Sequence, residues 1–186
     1  MIGYAFCGSF CTLSESLSVL ETLANKGYEI QPIMSEKTYS TDTRFYSKEA
    51  LERKVRELTG RSVIHTVEAA EPLGPANPLS ALIIAPCTGN TLAKLANGIT
   101  DTAVTMAAKA HLRQDRPLLI ALASNDAMSH NLSNIATLLM RKSVYFVPMR
   151  QDDPKRKPHS LVADFKMVDV CLSEMLREKQ LRPLFI

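Results

Sequence analysis

Two short stretches carry the residue types from which a binding site could be built. Cys87-Thr-Gly-Asn-Thr91, directly behind Pro86, offers two hydroxyls, an amide and a glycine that lets backbone approach a ligand. Gly8 and Ser9, within Cys7-Gly-Ser-Phe-Cys-Thr12, place similar groups near the N-terminus. Both stretches stand before a helical pattern, so the chemistry they point to is anion or phosphate binding by the first N–H groups of a helix. Plain capping and turn formation use the same residue types, and spacing alone leaves the two roles side by side.

The elements that must position these stretches can be read in order. Ile2 to Phe6 is a short apolar run, a first strand, and Leu13, Leu17, Leu20 and Leu23 then mark one helix face that ends at Gly27. Tyr28 to Met34 alternates as a second strand ending at Ser35, Thr38 to Tyr46 is polar loop, and Ser47 to Leu58 is a charged helix closed by Gly60, with Glu49–Arg53 and Glu52–Arg56 one turn apart. Ser62 to Val67 is expected as a third strand carrying His65, followed by a long segment with Pro72, Pro75 and Pro78. Ala81 to Ala85 is a buried strand that Pro86 should stop, since proline has no N–H for the ladder. Leu92, Leu95, Ala96 and Ile99 then follow helical spacing.

Asp101 to Leu112 continues as helix, and Leu118 to Ala123 is a fifth strand leading into Ser124-Asn-Asp-Ala-Met128. The next helix shows Leu132, Ile135, Leu138 and Leu139 on its buried face, with His130 as a surface or cap residue. Val144 to Val147 is a last short strand. Pro148 to Ser160 is a proline-punctuated, locally basic loop of a length that often forms a lid or binding loop. Leu161 to Leu176 reads as helix, with Cys171 a small core residue. The alternation of strands and helices gives an α/β fold, a Rossmann-like three-layer arrangement with a mostly parallel sheet of about six strands.

Composition sets the outer bounds. At 186 residues, one domain covering 1–186 is expected. A net charge of +3, with no basic stripe interleaved with aromatics, argues against nucleic acid. Cys7, Cys11, Cys87 and Cys171 form neither a CxxC nor a Cys/His cluster, so no metal site is expected. No apolar run approaches 18 residues and no signal peptide stands at the start, which predicts a cytoplasmic chain with reduced thiols and no membrane contact. The G-x-G-x-x-G fingerprint of dinucleotide folds is absent.

Pro86-Cys-Thr-Gly-Asn-Thr91, followed by Lys94, Ala96-Asn97-Gly98 and Asp101, resembles the Pro-Ala-Ser-Ala-Asn-Thr signature of the FMN-binding flavoprotein family, which includes cysteine decarboxylases and flavin prenyltransferases. The resemblance implies FMN, with Gly8, Ser9, Ser35, Pro86, Thr88, Asn90 and Thr91 as cofactor-binding residues. Ser124-Asn-Asp-Ala-Met128 is similar to the family's second signature, Pro-x-Met-Asn-x-x-Met-Trp, and implies a catalytic or substrate-binding role for Asn125. His65 lies where the decarboxylases carry their catalytic His, although the spacing to the strand before Pro86 is longer here. Departures from the family pattern are Ser124 for Met, Ser129 for Trp, Gly89 and Thr102 for Ala and Asn, and no Cys between Cys87 and Cys171 where the decarboxylases have a flap cysteine.

Across essentially the whole chain, including Val147-Pro-Met-Arg-Gln-Asp-Asp-Pro154 and Lys157-Pro158, the wording is similar to one branch of that family, whose members act with a separate partner subunit to oxidise a cyclic dicarboxylate. That likeness implies an oxidoreductase subunit, a nicotinamide cofactor on the partner subunit, a dicarboxylate small molecule as substrate, and a homo-oligomer, trimeric or higher, with flavin at a subunit interface. Two carboxylates ask for cations, and Arg150, Lys155, Arg156 and Lys157 on the long loop are the candidates. The competing expectations are a decarboxylase or prenyltransferase of the same fold, and a non-catalytic or nucleotide-binding companion of the partner subunit.

Overall fold

The computed structural model describes residues 1–74, 76 and 78–186. Pro75, one of the three prolines expected to punctuate the central segment, lies outside the described residues. The strands are β1 (Ile2–Phe6), β2 (Ile30–Met34), β3 (Leu82–Cys87), β4 (Leu118–Ser124), β5 (Val144–Phe146), β6 (Met149–Arg150) and β7 (Leu161–Ala163). They form one seven-stranded sheet in the order β2-β1-β3-β4-β7-β6, with β5 pairing the first half of β4. The pairs β1–β2, β1–β3, β3–β4 and β4–β5 are parallel; β4–β7 and β6–β7 are antiparallel.

Helices cover both faces: α1 (Leu13–Asn25), α2 (Glu36–Ser40), α3 (Lys48–Thr59), α4 (Val67–Ala70), α5 (Gly89–Ala96), α6 (Ala103–Leu112), α7 (Leu132–Leu139) and α8 (Val168–Met175). The side-chain period of two sorts the central strands between two cores. Tyr4, Phe6, Ile83, Leu119 and Ala121 join Leu17 and Leu20 of α1 and Leu172 of α8 on one side. Ala5, Leu82, Ile84, Ile120 and Leu122 join Leu92 of α5 and Val104 and Ala107 of α6 on the other. Every residue of β1, β3 and β4 is buried, which is why these strands read as continuous apolar runs rather than as alternation. Each buried Leu or Ile side chain contributes about 1.5–3 kcal/mol.

The fold class follows the sequence reading, and several elements do not. Ser62 to Val67 is no strand: it makes one parallel bridge, Ile33 to Ile64, after which Thr66 accepts the Ala69 N–H and turns the chain into α4. Along the outer edge of β2 only Ile64 pairs, its N–H donating to the Pro32 carbonyl at 3.0 Å and its carbonyl accepting the Met34 N–H at 2.8 Å. The stretch expected as loop from Thr38 contains most of α2, because Ser35 caps that helix by accepting the Thr38 N–H at 3.3 Å. Pro86 does not end its strand. β3 runs on to Cys87 with a register shift between Ile84 and Cys87, the missing N–H being accommodated by the irregularity.

α5 stops at Ala96, leaving Ile99 at 47% exposure, and Leu132 on α7 is 49% exposed rather than buried. The last expected helix is divided: Leu161–Ala163 is strand, paired to both β4 and β6, and α8 begins only at Val168. Two- and three-residue strands are too short for periodicity to separate from a helix face.

Candidate functional site

Adjacent parallel strands β1 and β3 are followed by helices on opposite faces of the sheet, so a crevice opens beyond their C-terminal ends. This is the point where the strand order reverses, the usual ligand position in an open α/β sheet. The crevice here is a cleft of about 700 Å³ lined by Gly8 to Cys11, Thr41 to Phe45, Thr88 to Asn90 and Ala123 to Asp126. That volume lies within the usual range of small-molecule sites. A recess of about 490 Å³ shares Gly8, Thr88 and Asn90 with it and continues past Ser35, Glu36, Lys37, Thr91, Lys94 and Thr102.

Each wall has a local cause. After Thr88 the chain enters α5: Thr88 Oγ1 accepts the Thr91 N–H at 3.2 Å and donates to Thr91 Oγ1 at 3.1 Å. Thr91 Oγ1 in turn donates to the Cys7 thiol sulfur at 3.3 Å, tying the two turns together beneath the cleft. Burial pushes the Cys7 thiol up to about 11, so it is a neutral floor group and not a nucleophile. Ser9 Oγ accepts from Thr12 Oγ1 at 3.2 Å, and no side-chain bond caps α1.

The backbone N–H groups of Gly8, Phe10, Cys11, Gly89 and Asn90 have no acceptor among the described residues. The three atoms nearest to a Cβ built on Gly8 all belong to the Phe10 ring, the first at an ordinary contact distance of 3.4 Å. Gly8 lies outside the left-handed region, so neither backbone conformation nor the protein's own packing calls for glycine there; the space a side chain would fill belongs to the cleft. Free N–H groups in the Gly8–Cys11 turn and at the start of α5, two glycines and neighbouring hydroxyls fit a phosphate-bearing cofactor such as FMN.

The third wall follows β4. Asp126 Oδ1 accepts from Ser124 Oγ at 2.5 Å and from Asn131 Nδ2 at 2.9 Å. The bond from Ser124, with the smaller contribution of Asn131, holds the Asp126 carboxyl below its ordinary value, so it is a fixed anion. Gly89 packs against this cluster: a Cβ there would stand 2.7 Å from both Asp126 Oδ1 and Asn131 Nδ2. The fourth wall is the loop Thr41–Phe45. Thr43 Oγ1 accepts the N–H groups of Phe45 and Tyr46, and Asp42 Oδ1 accepts the Lys48 N–H at 2.9 Å. Arg44 lies over the Phe45 ring at 4.7 Å.

The structure brings Gly8, Ser9, Thr88, Asn90 and Asn125 to the cleft and Ser35 and Thr91 to the adjoining recess. Pro86 is buried in β3 and lines neither; its carbonyl accepts the Cys7 N–H at 3.1 Å. His65 also lies outside both, stacked on Tyr39 with ring centroids 3.7 Å apart. None of Arg150, Lys155, Arg156 and Lys157 lines the cleft. Arg150 pairs with Asp164 at 3.5 Å and Lys157 with Asp152 at 2.6 Å, so the acids of that region absorb part of its charge. Sequence reasoning passed over Arg44, Phe45 and Asp126. Arg44-Phe45 sits in a stretch without periodicity, and only the unpaired Arg-aromatic step inside a polar loop could have drawn attention to it.

A Flavoprotein family model matches residues 1–176. The chain is 40% identical over 185 residues to the B subunit of dipicolinate synthase from Bacillus subtilis (strain 168), covering 100% of this chain and 92% of that protein. The crystal structure of the corresponding dipicolinate synthase B subunit from Bacillus halodurans superposes with a TM-score of 0.91 at 37% identity, covering 100% of this chain and 95% of that one. Burkholderia xenovorans DmrB, solved in complex with FMN and described as a cubic protein cage for redox transfer, matches in fold at a TM-score of 0.72 and 18% identity, over 95% of each chain.

Proposed function

The chain belongs to the Flavoprotein family, and from that premise we propose that it binds FMN in the cleft beyond β1 and β3. We further propose that it serves as the B subunit of dipicolinate synthase, acting with a separate A subunit in the oxidation of dihydrodipicolinate to dipicolinate. The observation that carries the reading is the pairing of two turns, at Gly8 and at Thr88, across one cleft lined by residues whose N–H groups have no acceptor among the described residues. The 40% identity to the Bacillus subtilis protein supports the choice of reaction within the family.

Gly8, Ser9, Ser35, Thr88, Asn90 and Thr91 would hold the cofactor, with Pro86 shaping the turn from behind. When bound, FMN supplies an acceptor for the two electrons that leave a dihydropyridine as its ring becomes aromatic. The chain's own part is to bind, orient and set charge. Asn125, exposed on the cleft wall with its amide free of protein partners among the described residues, would hold the ring edge or a carboxylate. Asp126 supplies a fixed negative charge beside it. His65 faces Tyr39 away from the cleft, and this, with the absence of Cys between Cys87 and Cys171, disfavours a decarboxylase-type reaction.

The A subunit would carry the nicotinamide cofactor. The setting would be the cytoplasm of the sporulating mother cell; no helix among the described residues is long and apolar enough to cross a membrane. A trimer or larger homo-oligomer is part of the proposal, supported by exposed Met128 and Leu132 close beyond Asp126. The test is an absorption spectrum of the purified chain with added FMN, then dihydrodipicolinate oxidation by this chain alone, the A subunit alone and both together. A bound flavin spectrum and activity that needs both chains are expected. Full activity from the A subunit alone would exclude a catalytic role here.

A further inference from the structure

We infer that Arg44, seated on the ring of Phe45, is a carboxylate-binding residue for a planar ring acid in the cleft. The inference rests on the dicarboxylate part of the proposed function and names the group that would recognise it. Arg44 is the cation of the cleft lining, and no ion pair among the described residues includes it. The two acids of that lining are otherwise engaged: Asp42 accepts the Lys48 N–H, and Asp126 holds Ser124 and Asn131.

The loop presenting Arg44 is not slack. Thr43 Oγ1 accepts from two successive backbone N–H groups and donates to the Tyr46 carbonyl at 3.1 Å, fixing the turn that carries Arg44 and Phe45. The exposed guanidinium lies 4.7 Å from the Phe45 centroid, a cation–π contact worth about 0.5–1 kcal/mol at such a position. A planar fork held in place can meet a carboxylate with two parallel N–H···O bonds. Phe45, 45% exposed beside it, offers an apolar ring face to the body of the same ligand. A flat ring bearing carboxylates matches both features at once, whereas the basic loop around Arg150 to Lys157 lies outside the cleft.

The experiment titrates full-length wild type, Arg44→Met, Arg44→Lys and the remote Arg61→Met with pyridine-2,6-dicarboxylate by calorimetry, with and without FMN, and follows FMN uptake separately by flavin fluorescence. Arg44→Met should weaken dicarboxylate binding roughly ten- to hundredfold, with Arg44→Lys in between because it keeps charge but loses the fork. Arg61→Met and the thermal midpoints should match wild type. Equal dicarboxylate affinity in Arg44→Met and wild type, or no binding by wild type in either condition, overturns the inference. Failure of every protein to take up FMN overturns the cofactor reading instead, and the titration without FMN still decides the role of Arg44.

Discussion

Gly89 and Asp126 are in contact across the cleft wall: a Cβ on Gly89 would lie 2.7 Å from the Asp126 Oδ1 that already accepts from Ser124 and Asn131. Glycine at the first position of α5 is thus demanded by the neighbouring strand end rather than by its own φ. Gly89→Ala should destabilise the protein by about 1–3 kcal/mol through overpacking against a fixed polar cluster, measured as a lowered urea midpoint. Ser124→Ala removes one of the crowding atoms, so the Gly89→Ala/Ser124→Ala double variant should lose less than the sum of the two singles. Additive losses would show that the contact is relieved by other means.

Thr88 separates capping from cofactor binding. Its Oγ1 accepts the Thr91 N–H, a cap whose loss costs about 1 kcal/mol, so Thr88→Ala should lower the urea midpoint. Asp caps as well as Thr and adds a negative charge where the cleft and recess meet. Thr88→Asp should therefore keep stability within about 0.5 kcal/mol of wild type while weakening FMN binding at least tenfold, roughly one like-charge contact near a protein surface. Retained FMN affinity in Thr88→Asp would move the anion away from this turn.

Much of this site was legible because strand–turn–helix crossings leave strong local marks. The apolar runs at Ile2–Phe6 and Leu82–Ala85 break abruptly into Gly, Ser and Thr, and parallel topology then puts both breaks at the same end of the sheet. Arg44 and Asp126 were not legible, since nothing local says that a loop after β2 closes over the strand ends or that Asp126 turns back toward Gly89. The same limit explains the errors of assignment. Ser62–Val67 has strand-like residues but only one bridge to make, while Leu161–Ala163 becomes strand only because β6 and the end of β4 are there to pair with it.

Glu36 reaches across the molecule to α6, its Oε1 accepting the Ala103 N–H at 3.0 Å while Thr102 and Thr105 complete a capping box there. The carboxylate joins the end of β2 to a helix on one face of the sheet and sits in the recess beside Ser35 and Lys94. Glu36→Ala should lower stability by about 1 kcal/mol, the usual loss for a charge-assisted cap. It should also raise affinity for inorganic phosphate in the recess, because one like charge is gone. A stability loss with no gain in phosphate binding would place the cofactor's anionic end in the larger cleft, clear of Glu36.

His111 sets an acid limit on the fold. It is fully buried on α6, its Nε2 lies 2.9 Å from the Pro117 carbonyl, and its Nδ1 has no partner among the described residues. Nε2 therefore carries the proton of the neutral ring, and a second proton would be placed on a buried nitrogen. Burial, more than the nearby Arg116 charge, holds the pKa of His111 below the usual histidine value. With the folded value depressed, the unfolded chain takes up the proton first as pH falls below about 6.5. Stability is then complete above that pH and declines beneath it, by at most about 1.4 kcal/mol per unit, until the folded pKa is reached. Urea midpoints between pH 7.5 and 5.5 should fall for wild type. His111→Gln, which can still donate to the Pro117 carbonyl and does not titrate, should flatten that part of the profile, whereas an unchanged slope would assign the acid sensitivity to another group.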